Sequence, residues 1–64
     1  MWIVVHDIYD NTVYINTQKI CAIYHNKCYS VIECDTGVQY FIKESVEDII
    51  RTMQEKEEGI KKPW

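Results

Sequence analysis

The first two thirds of the chain consist of short strand-like runs separated by turn-forming residues. Residues 1–8 are Met, Trp, Ile and Val with a late His and Asp and are apolar on both faces, and short runs in which apolar and polar residues alternate follow between residues 13 and 43. A period of two with β-branched and aromatic residues is typical of strands. We therefore predict a small antiparallel β-meander of three to four strands.

Clusters of turn-forming residues mark where the strands reverse. Residues 9–12, with the sequence Tyr-Asp-Asn-Thr, separate two strand-like runs and predict a hairpin. Residues 25–27 are polar and predict a second turn. Gly37 follows Asp35 and Thr36 and can adopt the positive φ of a tight turn, so it gives the strongest turn signal in the chain.

From Ser45 onwards the apolar period changes from two to about 3.6, which indicates an amphipathic helix. Four apolar residues fall on one stripe of it: Val46, Ile49, Ile50 and Met53. Ser45 is a good N-cap, and Asp48 three residues later predicts a variant of the capping box. Gly59 is expected to end the helix. The predicted fold class is therefore α+β, with one domain over residues 1–58 and a C-terminal tail over 59–64.

The same pattern predicts a homo-oligomer. A chain of 64 residues has a marginal core, because it buries only about 60% of the surface that its unfolded form exposes. One helix can cover one face of a sheet, but Val31 and Ile32, like Tyr40 and Phe41, place bulky apolar groups on both faces. We expect another copy to cover the second face or an edge strand.

Charge and cysteine content limit the classes of partner. The net charge is −3, without a basic patch, so we expect neither DNA nor RNA as a partner. The chain has no apolar run long enough to span a membrane and no signal-peptide pattern, which favours a cytoplasmic protein without membrane contact. An odd number of cysteines then indicates reduced thiols. The alternative is a metal site whose ligand spacing matches none of the common zinc patterns: Cys21, His25, Cys28 and Cys34.

No residue pattern indicates catalysis or a bound cofactor. Neither His6 nor His25 stands in a recognised motif, and His6 alternates with apolar residues as a partly buried structural histidine does. The only glycines are Gly37 and Gly59, so the chain has no glycine-rich phosphate loop. We predict that the protein is not an enzyme and needs no cofactor.

Three segments carry a resemblance to a known family. They are residues 11–16, the pair Ile20 and Ile23, and the stretch 35–50, whose best part is the join Ile-Lys-Glu-Ser-Val-Glu-Asp-Ile-Ile. Together they resemble the FlbD-like family of small bacterial proteins over about three quarters of the chain. The resemblance implies a short β-meander with a C-terminal helix, no catalytic residues, no cofactor, and a link to flagellar operons or motor output.

Two functions are compatible with these features. The first is a small non-enzymatic binding or regulatory module that acts as a homo-oligomer through protein–protein contacts. The second is a phage-type anti-defence protein that sequesters a small anionic nucleotide or blocks a host defence protein by stoichiometric binding. Aromatic rings can stack on a base, and a lysine attracts phosphate. The candidate binding residues are Tyr24, His25, Asn26, Lys27, Tyr29 and Trp64, the last as a hydrophobic plug for a neighbouring copy.

Overall fold

The computed structural model describes residues 1–60 and contains five strands and one α-helix. Its elements are β1 (Trp2–His6), β2 (Thr12–Asn16), a 3-10 helix (Thr17–Lys19), β3 (Ile20–His25), β4 (Ser30–Cys34), β5 (Gln39–Ile42) and α1 (Val46–Ile60). The predicted α+β class and the helix after the strands are confirmed. The predicted number of strands was too low.

The strands form two antiparallel sheets, where the sequence predicted a single meander. Strands β1 and β2 form a hairpin, and β3, β4 and β5 form a three-stranded meander in chain order. The separation falls at the 3-10 helix, where the Asn16 side chain accepts the N–H of Gln18 at 3.1 Å. This local hydrogen bond competes with extended pairing, so β3 starts a new sheet.

The two sheets meet at one end through a single antiparallel bridge between Asp7 and Ile42. Around it, the Ile8 N–H donates to the Phe41 carbonyl at 3.0 Å and the Lys43 N–H donates to the His6 carbonyl at 2.8 Å. No further pairing joins β1 to β5 within the described residues. The two strands are therefore held together at one end, and a gap is left between the sheets at the other.

The hairpin turns predicted at residues 9–12 and at Gly37 are present. Gly37 has a φ of 90° and its N–H donates to the Cys34 carbonyl at 2.9 Å, as predicted for a tight turn. In the first turn, the Asp7 carboxylate accepts the N–H groups of Tyr9 and Asn11, each at 2.9 Å. Asp7 precedes the predicted turn cluster, so its contribution was missed.

The helix begins as predicted, although its capping differs in one respect. The Ser45 hydroxyl accepts the Asp48 N–H at 3.0 Å, which confirms the N-cap. The Asp48 carboxylate does not complete a capping box, because it binds Arg51 at 2.8 Å. The helix continues past Gly59, the predicted stop, to Ile60. The remaining part of the predicted tail, residues 61–64, lies outside the described residues.

The core is a cluster of six aliphatic side chains contributed by both sheets and the helix. They are Ile3, Val5, Ile15, Ile32, Ile42 and Ile49. Met53 packs against this cluster, whereas Ile50, predicted on the same stripe, is exposed. Within residues 1–60, no helix has the length and apolar composition that crossing a membrane requires.

The outer face of the meander is also apolar, as the pairs of neighbouring bulky residues predicted. Val31 lies opposite Tyr24 on one side and Phe41 on the other, and the three side chains share this face. Val31 is only 3% exposed although it does not belong to the core cluster. The centre of this face is therefore shielded at Val31, whereas Tyr24 and Phe41 beside it are 43% and 40% exposed.

Candidate functional site

The loop between β3 and β4 is shaped by Asn26. Its side-chain oxygen accepts the N–H groups of Cys28 and Tyr29, each at 3.0 Å, and its own N–H donates to the Tyr29 carbonyl at 3.0 Å. An asparagine that binds the backbone two and three residues on forms a stable turn. The loop is therefore ordered by its own polar groups.

This loop and the start of α1 enclose a polar cavity of about 250 Å³, called here the loop pocket. Its walls include four of the six residues predicted from the sequence: His25, Asn26, Lys27 and Tyr29. Tyr24 lies elsewhere, on the outer face of the meander, where its hydroxyl accepts a hydrogen bond from Gln39 at 3.1 Å. Trp64 lies outside the described residues.

The charges around the loop pocket are largely balanced. Lys43 reaches its wall, but its ammonium group donates to Asp10 at 2.9 Å. This hydrogen bond and ion pair raise the pKa of Lys43 and lower the pKa of Asp10. Glu47 adds a carboxylate to the same wall. The loop pocket therefore contains the positive charge of Lys27, the charge of Lys43 that Asp10 offsets, and the negative charge of Glu47.

A larger and more apolar cavity lies between the hairpin and the turn that joins β4 to β5. We call it the aromatic groove; its volume is about 490 Å³. Its walls include Trp2, Tyr14, Val38 and Tyr40 together with the buried Ile15, and the exposed Lys19 and Asp35 stand at its rim. The groove is the gap that remains between the two sheets, because β1 and β5 meet at one end only.

Strand alternation explains why aromatic residues face this groove. Ile3 pairs with Ile15 across the hairpin, and both face the core. Their neighbours Trp2 and Tyr14 must then point to the opposite face, where they are 59% and 66% exposed. The alternation was visible in the sequence, but the wall supplied by Val38 and Tyr40 was not, because it depends on how the two sheets are arranged.

Cys34 and the rim charges set the polarity of the aromatic groove. Burial, followed by the nearby Asp35 and Cys21, raises the pKa of the Cys34 thiol. A thiol with a raised pKa stays neutral and is a poor nucleophile. Lys19 Nζ lies 3.9 Å from Asp35 Oδ2, and the two side chains give the rim one charge of each sign. The groove thus has an apolar wall and a polar rim.

A third polar cluster joins the hairpin to the segment before the helix. The His6 N–H donates to Glu44 Oε1 at 2.9 Å, and the His6 ring nitrogen Nδ1 lies 2.7 Å from Glu44 Oε2. Burial, the largest influence, raises the pKa of Glu44, but the hydrogen bonds from His6 together outweigh it and lower that pKa. The prediction of a partly buried, hydrogen-bonded His6 is confirmed.

This cluster does not provide the parts of a nucleophilic site. The nearby Ser30 hydroxyl is buried and donates to the Glu44 carbonyl at 2.7 Å, so it is not directed at His6. Within residues 1–60, no three His, Cys, Asp or Glu side chains lie close enough together to hold a metal ion. The four candidate ligands of the metal hypothesis are therefore not brought together.

Comparisons with family models, curated proteins and solved structures found no match for this chain. The FlbD-like resemblance therefore remains a prediction from the sequence. A function has to follow from the aromatic groove, the loop pocket and the charges around them.

Proposed function

We propose that the protein is a small non-enzymatic binding module that acts as a homo-oligomer, with the aromatic groove as its protein–protein contact surface. The observation that carries this proposal is the exposure of Trp2 and Tyr14 beside Val38 and Tyr40. Tryptophan and tyrosine dominate the energetic centres of protein interfaces, because they offer a large apolar area with few rotatable bonds.

The rim of the groove supports a contact between identical copies. In a two-fold symmetric contact the same surface occurs on both partners, so it must be complementary to itself. A rim that carries Lys19 and Asp35 meets this requirement, since the lysine of one copy can face the aspartate of the other. Strand β2 adds an unpaired edge next to the groove within the described chain.

The size of the domain gives association an energetic advantage. Only seven hydrophobic side chains are buried among residues 1–56, for which the structure describes the side chains. Covering one large apolar side chain contributes about 1.5–3 kcal/mol. This amount is substantial beside the total stability of a small domain, so contacts at Trp2 and Tyr14 would stabilise the folded state as well as the assembly.

The FlbD-like resemblance supports a regulatory role in the cytoplasm, with a motility-associated protein as a further partner. The net charge of −3 disfavours nucleic acid in that role. A gene located beside flagellar genes would support this partner class. A gene located within a phage gene cluster would favour the anti-defence role instead.

Sedimentation velocity across the micromolar range tests the oligomer and its surface together. Tyr14→Ser removes an aromatic ring from the groove, and Tyr9→Ser is the matched control, because Tyr9 is 78% exposed and lies outside the groove. We expect the wild type and Tyr9→Ser to associate equally and Tyr14→Ser to associate at least about tenfold more weakly. A wild type that stays monomeric throughout would overturn the proposal.

The loop pocket supports a second candidate function, sequestration of a small anionic nucleotide. Lys27 and Tyr29 line the same cavity, and could bind a phosphate and stack on a base. This candidate ranks second, since about 250 Å³ is below the usual size of a ligand site and Glu47 repels an anion. A thermal shift with cyclic or linear nucleotides that Lys27→Ala abolishes would support it, and no shift in the wild type would exclude it.

A further inference from the structure

We propose that the aromatic groove of one copy is filled by residues 61–64 of another copy, with Trp64 as the apolar anchor. This inference rests on the proposed function, because it names the segment that occupies the same groove. The segment has the sequence Lys-Lys-Pro-Trp and directly follows α1.

The course of α1 brings its far end to the end of the hairpin at which the groove lies. The helix starts beside Glu44, which binds His6 at the junction of the two sheets. Further along, Met53 and Gln54 line a cavity together with Met1 and Thr17, at the opposite end of the hairpin. The adjacent residues Trp2 and Asn16 line the groove.

Distances favour a groove on a second copy over the groove of the same chain. Residues 55–60 extend the helix about 9 Å beyond the cavity that it lines together with Met1, at 1.5 Å per residue. Four further residues span at most about 14 Å. To reach the groove of its own chain, the segment would have to run about 9 Å back along the helix. It would also have to cross about 10 Å from the helix layer to the outer face of the hairpin. Such a path takes up almost the whole reach of the segment.

The shape of the molecule is in keeping with this geometry. The chain measures 41 Å along its longest axis and 22 × 19 Å across it. Reciprocal exchange between two copies closes the assembly, because each groove then receives one segment.

Charge favours the same pairing. Residues 1–60 contain five Lys and Arg against ten Asp and Glu, whereas residues 61–64 carry two lysines and no acid. A basic segment is attracted to the acidic body as a whole, while at the rim the charges of Lys19 and Asp35 offset each other. Pro63 has a fixed φ, which lowers the entropy that the segment loses on binding.

The size and lining of the groove suit an indole ring. Its volume of about 490 Å³ lies within the range of sites that hold small ligands, and Tyr14 and Tyr40 offer aromatic faces to the ring. Lys19 and Asp35 at the rim leave the indole N–H close to polar groups. Trp64 is thus matched to the groove in both polarity and size.

A mixing experiment tests the exchange. Trp64→Ala removes the anchor but leaves the groove intact, and Tyr14→Ser weakens the groove but leaves the segment intact. By sedimentation velocity, we expect each variant alone to associate at least about tenfold more weakly than the wild type, while Tyr9→Ser behaves as the wild type. An equimolar mixture of the two weakened variants should form heterodimers, because one intact segment meets one intact groove.

A peptide with the sequence of residues 60–64, Ile-Lys-Lys-Pro-Trp, provides a second measurement. We expect it to bind the Trp64→Ala variant and to bind the Trp64→Ala, Tyr14→Ser double variant at least about tenfold more weakly. Absence of binding to Trp64→Ala would overturn the inference. A monomeric wild type whose Trp64→Ala variant binds the peptide would also overturn it, since the groove would then be filled within one chain.

These results separate the inference from the proposed function. If Tyr14→Ser dissociates while Trp64→Ala associates as the wild type does, the groove is a contact surface with another occupant, and only the inference fails. If neither substitution changes the association, both fail.

Discussion

His6 and Glu44 are 38 residues apart in the chain and are joined by two hydrogen bonds, of 2.9 Å and 2.7 Å. The pair ties the end of β1 to the residue before the helix cap. It lies beside the Asp7 and Ile42 bridge, the one pairing between the two sheets in the described chain. The arrangement of the sheets, and with it the groove, depends on this junction.

Replacing Glu44 with Gln is expected to weaken the junction. The amide oxygen of the new side chain can accept one hydrogen bond, but the substitution removes the negative charge that strengthens both contacts with His6. Since the Glu44 side chain is partly exposed, we expect a loss of about 1–2 kcal/mol in the free energy of unfolding, measured by urea denaturation. Glu55→Gln on the exposed side of the helix is the control and should change it by less than about 0.5 kcal/mol.

Acid is expected to destabilise the protein through three carboxylates. Hydrogen bonds from the Asn11 and Tyr9 backbone lower the pKa of Asp7, and Lys43 lowers that of Asp10. The pKa of Glu44 is lowered as well, because the hydrogen bonds of His6 outweigh the effect of burial.

A carboxyl with a lowered pKa in the folded state stabilises folding above its ordinary pKa of about 4, and this contribution is lost as the pH falls through the lowered value. We therefore expect the melting temperature to decline below about pH 4, and to decline less in Asp7→Asn. A melting temperature that is constant from neutral pH to about pH 3 would contradict this expectation.

The core is expected to tolerate little loss of volume. Ile32 is fully buried at the centre of the meander, opposite Ile23 and Tyr40. We expect Ile32→Ala to lose about 2–5 kcal/mol, enough to unfold a domain of this size, and Ile32→Val to lose about 0.5–1.5 kcal/mol. Circular dichroism during urea titration measures both. Val4→Ala is the exposed control, because Val4 is 44% exposed and does not line the aromatic groove, and an equal loss there would show that burial is not the cause.

We expect Gly37 to be required because of its backbone conformation. Steric crowding by neighbouring atoms is not the reason. A Cβ added at this position meets no atom within 4 Å, but the φ of 90° is unfavourable for residues with a side chain. We expect Gly37→Ala to lower the free energy of unfolding by about 1–2 kcal/mol and Gly37→Asn to lower it less. Equal losses in the two variants would point to another cause.

Several features of the fold could be predicted because they depend on neighbouring residues. The turn at Gly37 and the N-cap at Ser45 need only groups within three residues along the chain. The Asp48 capping box failed for the same kind of reason, since Arg51 three residues on competes for the carboxylate.

The candidate site could be predicted only in part. His25, Asn26, Lys27 and Tyr29 meet in one pocket because a single short loop carries them. Tyr24 precedes this loop on a strand, and strand alternation turns its side chain to the outer face of the meander.

The sequence alone determined where the chain turns, where the helix begins and which residues share a strand face, because periodicity and turn chemistry act over a few residues. Only the tertiary structure decided that the strands divide into two sheets and that Trp2 and Tyr14 stand opposite Val38 and Tyr40. Strand alternation assigns a side chain to one face of its strand. Which residues lie against that face depends on segments more than twenty positions away in the chain. The aromatic groove arises from that long-range arrangement.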